Sequence, residues 1–160
     1  MTVTVFGLSG FVLLLSSAVT SLAAPGRAEE DAVWEAALRA QIELFLDETA
    51  RAQRTVICFG IDPGEAPQSP SREFLSRFMD PAVRRLGECE ARPKGAVERS
   101  TRGPAVLVTA GPIEWVAHDE AWVTVSHFRT RLYSGVRTYR VVRERSGWVS
   151  LGQILKDGPA

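Results

Sequence analysis

The sequence predicts an α+β fold, with an N-terminal amphipathic helix packed on a curled antiparallel sheet that ends in a C-terminal meander. Three observations carry that expectation. Residues 29–54 place Trp34, Ala37, Leu38, Ile42, Phe45 and Leu46 at three- and four-residue steps, an apolar stripe of helical period. Residues 105–154 are rich in Val, Thr, Trp, Phe and Tyr, the residue types that suit a pleated sheet. Turn signals divide that stretch at His118-Asp119-Glu120-Ala121, Tyr133-Ser134-Gly135-Val136 and Arg145-Ser146-Gly147-Trp148.

Residues 1–23 hold no charged side chain, have an apolar centre at Phe11-Val12-Leu13-Leu14-Leu15, and close on small residues around Ala23. That layout predicts a signal peptide cleaved after Ala23, and hence an exported protein, periplasmic or extracellular. No Lys or Arg precedes the apolar run, a departure from the usual layout. Thr2, Thr4, Ser9, Ser16, Ser17, Thr20 and Ser21 make the segment a poor spanning helix, so no stable membrane span is expected. Residues 24–28 read as a flexible lead-in, 29–156 as one α+β domain, and 157–160 as a frayed tail.

Within the domain, Glu29, Glu30 and Asp31 open the helix and Arg51 and Arg54 close it, as the helix dipole favours. Thr55–Ile61 turns to β-branched and aromatic residues and predicts a strand buried on both faces, stopped by Asp62-Pro63-Gly64. Ser69 as N-cap and Pro70 at the first helical position predict a second helix to about Met79 that buries Phe74, Leu75 and Phe78. Residues 84–92 suit either a short helix or an extended edge. Residues 93–104 read as a polar connection with a turn at Ser100-Thr101-Arg102-Gly103.

Two-residue turns at Asp119-Glu120, Ser134-Gly135 and Ser146-Gly147 give the meander a definite register. Trp115 then faces Thr124, Phe128 faces Val141, and Val142 faces Leu151. One face carries Ile113, Trp115, Trp122, Phe128, Leu132, Tyr139, Val141 and Ile154, and is expected under the helix. The other carries Val116, Val123, Val125, His127, Val142, Val149 and Leu151. Because that second face is not wholly polar, a loop, a ligand or a second copy is expected to cover part of it, which makes a homodimer through the sheet a candidate.

Composition excludes little. The 19 Lys and Arg balance 19 Asp and Glu, so net charge gives no sign of broad nucleic-acid affinity. A nucleic-acid role would need a clustered basic face with stacking aromatics; residues 121–160 do hold seven positive side chains against Glu144 and Asp157, but the expected export argues against a nucleic-acid partner. Only Lys94 and Lys156 are lysines and Asn is absent, a bias that points to a GC-rich, bacterial genome and lowers the information in any Arg cluster.

The two cysteines, Cys58 and Cys89, favour a structural disulfide in an exported chain. A buried thiol at Cys58 with an exposed one at Cys89 is the alternative. In the expected register Arg129 lies opposite Arg140 with His127 beside them, a candidate anion or ligand patch, since facing like charges want a bridging anion. A solvated, Arg-rich sheet end is the plainer reading. His118-Asp119-Glu120 has ligand atoms for a metal, but side chains at a tight turn diverge and no second His has suitable spacing, so no metal is expected. There is no Gly-x-Ser-x-Gly nucleophile turn, no phosphate-cradling Gly loop and no assignable catalytic residue, and no cofactor is expected.

The final hairpin, Thr138-Tyr139-Arg140-Val141-Val142, a Ser146-Gly147 turn and Trp148-Val149-Ser150-Leu151, resembles the end of many cystatin-like, nuclear-transport-factor-like α+β domains. The chain also resembles small secreted bacterial proteins of uncharacterised function with a cysteine in the strand after the first helix. The resemblance implies a cystatin-like arrangement; its isomerase and dehydratase members set Asp and His in a cone between helix and sheet. The Gln-x-Val-x-Gly protease-binding motif of true cystatins is absent. Such architecture hosts enzymes and binding modules alike. The expected function is therefore a non-enzymatic binding or protein-interaction module of unknown ligand, with a cofactor-free enzyme or small-ligand carrier using a helix–sheet pocket as the alternative. Convergent ionisable groups in that pocket would favour the latter, an all-apolar filled interior the former.

Overall fold

The computed structural model describes residues 25–45 and 55–154. The expected signal peptide, the helix beyond Phe45 and the C-terminal tail lie outside the described residues. One long helix, α1 (Arg27–Phe45), packs across a six-stranded sheet, an α+β architecture. No helix among the described residues is long and apolar enough to cross a membrane.

Helix α1 buries Val33, Trp34, Ala36, Ala37, Leu38 and Gln41 against the sheet. Its indole Trp34 Nε1 donates to the Gly111 carbonyl at 3.0 Å, which satisfies the buried donor while the ring fills the core. Strand β1 (Val56–Ile61) follows, with residues 57–61 all buried. It lies between β2 (Val83–Arg85) and β5 (Ala105–Ala117) and is parallel to both. A strand flanked on both edges in a parallel arrangement is covered on both faces, which is why its sequence is continuously apolar.

The sheet is thus mixed, with strand order β2-β1-β5-β6-β7-β8, and the expectation of a wholly antiparallel sheet is corrected at this end. The cause is the connection from β1 to β2, which runs through the short helix α2 (Arg72–Ser76); parallel neighbours require such a crossover. The N-cap of α2 is Ser71, whose side chain accepts from Phe74 N at 3.0 Å, and not Ser69, whose hydroxyl accepts from Gly87 N. Phe74 and Phe78 are buried, Phe78 edge-on to Phe59 at 4.7 Å between ring centroids.

After β2, Leu86–Glu88 form a single 3₁₀ turn. Strands β3 (Cys89–Arg92) and β4 (Gly95–Glu98) then pair as a separate hairpin. Residues 93–104 read from sequence as a polar connection, because charged residues surround the two apolar positions of β4, Ala96 and Val97. The turn expected at residues 100–103 is present, closed by Glu98 N to Gly103 O at 3.0 Å.

The meander comprises β5, β6 (Glu120–Thr130), β7 (Tyr133–Glu144) and β8 (Gly147–Ile154). All three turns fall earlier than expected, at His118-Asp119, Arg131-Leu132 and Arg145-Ser146. Trp115 therefore pairs with Ala121, Phe128 with Ser134, and Val142 with Val149. A register break in β5 between Ala110 and Ile113, at Gly111-Pro112, also resets its phase. Since a one-residue slip exchanges the faces of a strand, Ala121, Val123 and Val125 of β6 lie in the main core with Tyr139 and Val141, and Trp122 and Phe128 point away. Ile113, Trp115 and Trp148 pack at the margin of that core, the two indoles edge-to-face at 5.5 Å.

A disulfide joins Cys58 in β1 to Cys89 in β3. It anchors the β3–β4 hairpin over the sheet face opposite α1, where Cys58, Cys89, Ala96 and Ala105 form a small second core backed by Leu107 and Phe128. The partial cover anticipated for that face comes from the chain's own hairpin.

Candidate ligand-binding site

The β6–β7 ladder sets three polar side chains of β6 and β7 on the helix-facing side. His127 pairs with Gly135, Val125 with Arg137, and Val123 with Tyr139, and the pairing runs unbroken from residue 120 to 128 of β6. His127, Arg137 and Tyr139 consequently share one face with the buried valines 123 and 125. Gly135 leaves room for the His127 ring, since a Cβ there would lie 2.9 Å from the imidazole Cε1 and the ring would have to shift.

Helix α1 closes over this group with Gln41. The Tyr139 hydroxyl donates to Gln41 Oε1 at 2.9 Å, and both residues are essentially without solvent contact. Arg137 lies on the same face of β7, two residues from Tyr139. With its oxygen committed to Tyr139, the Gln41 amide turns Nε2 away, and that buried nitrogen has no hydrogen-bond partner among the described residues. Burial raises the Tyr139 phenol above its ordinary value of 10.0, against a smaller opposing effect of Arg137. Burial, assisted by the Arg137 charge, lowers His127 below its ordinary 6.5 and favours a neutral imidazole. The arrangement is rich in donors: the Gln41 amide N–H₂ at the Tyr139 phenol, with Arg137 and a neutral His127 imidazole on the same sheet face. Such a set is suited to an acceptor-bearing ligand.

The candidate patch of His127, Arg129 and Arg140 is distributed over the β6–β7 ladder. Arg140 lies opposite Trp122, five residues along β6 from His127, a separation of roughly 17 Å at the rise of a strand. It points to the other face and grips Glu120 with both ends of its fork, Nε to Oε1 at 2.9 Å and Nη2 to Oε2 at 2.7 Å. Arg140 hydrogen bonding is the main cause that holds the Glu120 carboxyl below 4.5. Arg129 lies at the far end of β6, where its carbonyl abuts Gly95 of the disulfide-anchored hairpin. The earlier turn, at Arg131-Leu132, is what separates these residues.

Gln41 and Arg137 escaped the sequence reading. Gln41 falls on the same helical face as Ala37, Leu38 and Ile42, and a polar residue inside an apolar stripe was the signal that could have found it. His118-Asp119 form the exposed β5–β6 turn. No protein-family model matches the chain, and searches among curated proteins and solved structures likewise find no match.

Proposed function

We propose that this chain is an exported, non-enzymatic binding domain of cystatin-like arrangement, freed by cleavage after Ala23, that takes a small carboxylate-bearing ligand between α1 and strands β6 and β7. The observation that carries the reading is the buried Nε2 of Gln41, which has no hydrogen-bond partner among the described residues, on the side chain that accepts from Tyr139. Leaving a buried donor unmet costs about 1–3 kcal/mol, a cost that a bound acceptor would offset. Arg137 supplies the charge for a carboxylate and Gln41 the directional donor, while the Val123 and Val125 floor suits an apolar body on the same ligand.

The test is a titration of small aliphatic and aromatic carboxylates followed through backbone amide resonances. Binding is expected to perturb Gln41, Val125, Arg137 and Tyr139 and to raise the unfolding temperature with ligand concentration. Arg137→Met should weaken that binding at least tenfold. A panel that leaves those four resonances unmoved at millimolar concentration overturns the reading.

A second reading, a cofactor-free enzyme built on the same residues, draws on one further observation: His127, desolvated beside Arg137, is suited to act as a neutral base. It separates from the first through His127→Gln, which should leave carboxylate binding intact and abolish any turnover of the bound ligand.

A further inference from the structure

Two hairpin tips lie side by side at one end of the sheet. The β3–β4 hairpin turns at Pro93-Lys94 and the β6–β7 hairpin at Arg131-Leu132. Gly95 holds them together: a Cβ on it would stand 2.7 Å from the Arg129 carbonyl and 3.2 Å from the Thr130 methyl, so the backbones touch as only glycine permits. A cavity of about 490 Å³ opens between them, lined by Arg92, Lys94, Arg102 and Arg129 over an Ala96, Val97 and Pro104 floor.

The chemistry of this end is lopsided. Arg92, Lys94, Arg102 and Arg131 lie at or beside the two tips against Glu90, which Arg92 and Arg102 share, a local excess of three positive charges in a chain of zero net charge. Glu90 alone is shared by Arg92, Arg99 and Arg102, and Glu98 is turned towards Arg84. Beside these cations the second tip holds out Leu132 at 91% exposure and Tyr133 at 67%, with Val136 behind them at 66%. An aliphatic residue at the point of a turn, followed by a tyrosine and ringed by long cationic side chains, has the order of a membrane-interface anchor: the apolar tip enters the headgroup boundary, the phenol sits at its level and the cations meet lipid phosphates.

We propose that the paired tips Pro93-Lys94 and Arg131-Leu132-Tyr133 dock this protein on the anionic surface of a lipid bilayer. A second copy is a poor occupant, because each would bring the same excess of positive charge to the contact. A single strand of nucleic acid is a poorer fit, since it would stack on Tyr133 alone and leave the most exposed residue of the tip, Leu132, without an apolar partner. Each cation near an anionic surface strengthens attachment about fivefold, so charge and tip should act together and both should be needed.

The test is flotation of the full chain with vesicles of phosphatidylcholine alone and of phosphatidylcholine mixed with phosphatidylglycerol, at low and high salt. Any contribution of the apolar residues 1–24 is common to every variant, so the quantity read is the gain in binding on adding the anionic lipid. The intact chain should gain more than tenfold, and high salt should remove most of the gain. Leu132→Ser with Tyr133→Ser, and separately Lys94→Glu with Arg131→Glu, should each reduce the gain at least fivefold while the circular dichroism spectrum stays unchanged, as expected for exposed side chains. No gain with phosphatidylglycerol overturns the proposal, as does a gain that either pair of substitutions leaves intact. It is also overturned if sedimentation shows self-association abolished by Leu132→Ser, or if inorganic phosphate saturates Lys94 and Arg129 resonances while vesicles fail to bind.

Discussion

The hydroxyl of Tyr139 on β7 donates to Oε1 of Gln41 on α1 at 2.9 Å, a hydrogen bond that joins two buried side chains 98 residues apart in the chain. It is the one place among the described side-chain hydrogen bonds where the helix and the meander meet through fully buried polar groups. Removing either partner alone should therefore cost more than removing both. Tyr139→Phe leaves the Gln41 amide oxygen buried without its donor, and is expected to lower stability by about 1–3 kcal/mol. Gln41→Leu leaves the Tyr139 hydroxyl buried without its acceptor, and is expected to cost a similar amount, about 1–3 kcal/mol. Urea unfolding of the two variants and of the double variant measures the coupling; a double variant whose loss equals the sum of the two single losses would contradict it.

His127 supplies a pH dependence with a definite sign. Its folded-state pKa lies below 6.5, because burial and Arg137 disfavour the imidazolium. The unfolded chain therefore takes up the proton first as pH falls. The stabilising contribution is fully present above about pH 6.5 and is lost as pH drops through the depressed folded value. Glu90 and Glu120, whose pKa values are held below 4.5 by Arg92 and Arg140, act in the same direction in a separate window beneath 4.5. Unfolding temperatures should thus fall in two steps on acidification. His127→Gln should erase the step that begins near pH 6.5 and leave the more acidic one, and a His127→Gln profile identical to the parent would exclude the assignment.

The disulfide should be a principal source of stability on the face opposite α1. Cys58 and Cys89 are buried and close a loop with a sequence separation of 31. Constraining the unfolded chain over that span contributes about 3–4 kcal/mol. Replacing both cysteines by alanine is expected to lower the unfolding temperature by roughly 10 °C. It should also expose Ala96 and Leu107 to hydrogen exchange as the hairpin loosens. Intact mass should rise by two hydrogens only when reductant is combined with denaturant, because native packing covers both sulfurs. A mass gain under reductant alone would show the bridge to be more accessible than its burial implies.

Much of this fold was legible because the local signals agree with the tertiary demands. The apolar run 56–61 reads as a doubly covered strand and is one, and Asp62-Pro63-Gly64 reads as a turn and is closed by Gly64 N to Asp62 Oδ1. The meander's phase was not legible, and glycine is the reason. Gly135 is the strongest turn signal in its neighbourhood, yet it lies inside β7, where its missing Cβ makes room for the His127 ring. The turn itself falls on Arg131-Leu132, which has no turn chemistry. That displacement inverted β6, brought Arg129 and Arg140 together on paper, and hid the neighbourhood of His127, Arg137 and Tyr139. Gly147, by contrast, does serve its turn, closing it at a φ of 123° as the first residue of β8.

Gly95 offers the sharpest test of how the two hairpin tips are held. It has a φ of 142°, a conformation that side chains rarely adopt, and the position of its absent Cβ is 2.7 Å from a backbone oxygen, that of Arg129, which cannot swing aside as a flexible side chain would. Gly95→Ala therefore meets both strain and collision, and should destabilise by at least about 1–3 kcal/mol. Gly87 is the matched control, since a Cβ there only touches Ser69 Oγ at 3.5 Å, and Gly87→Ala should change stability by about 0.5 kcal/mol or less. Because the hairpin is anchored at its other end by the disulfide, the alanine at 95 is expected to push the tips apart without unfolding the sheet. Amide shifts should then concentrate on residues 92–97 and 128–131 and spare β8. Uniform shifts across the meander, or a Gly95→Ala protein as stable as the Gly87→Ala control, would show that the two tips are not locked together by this contact.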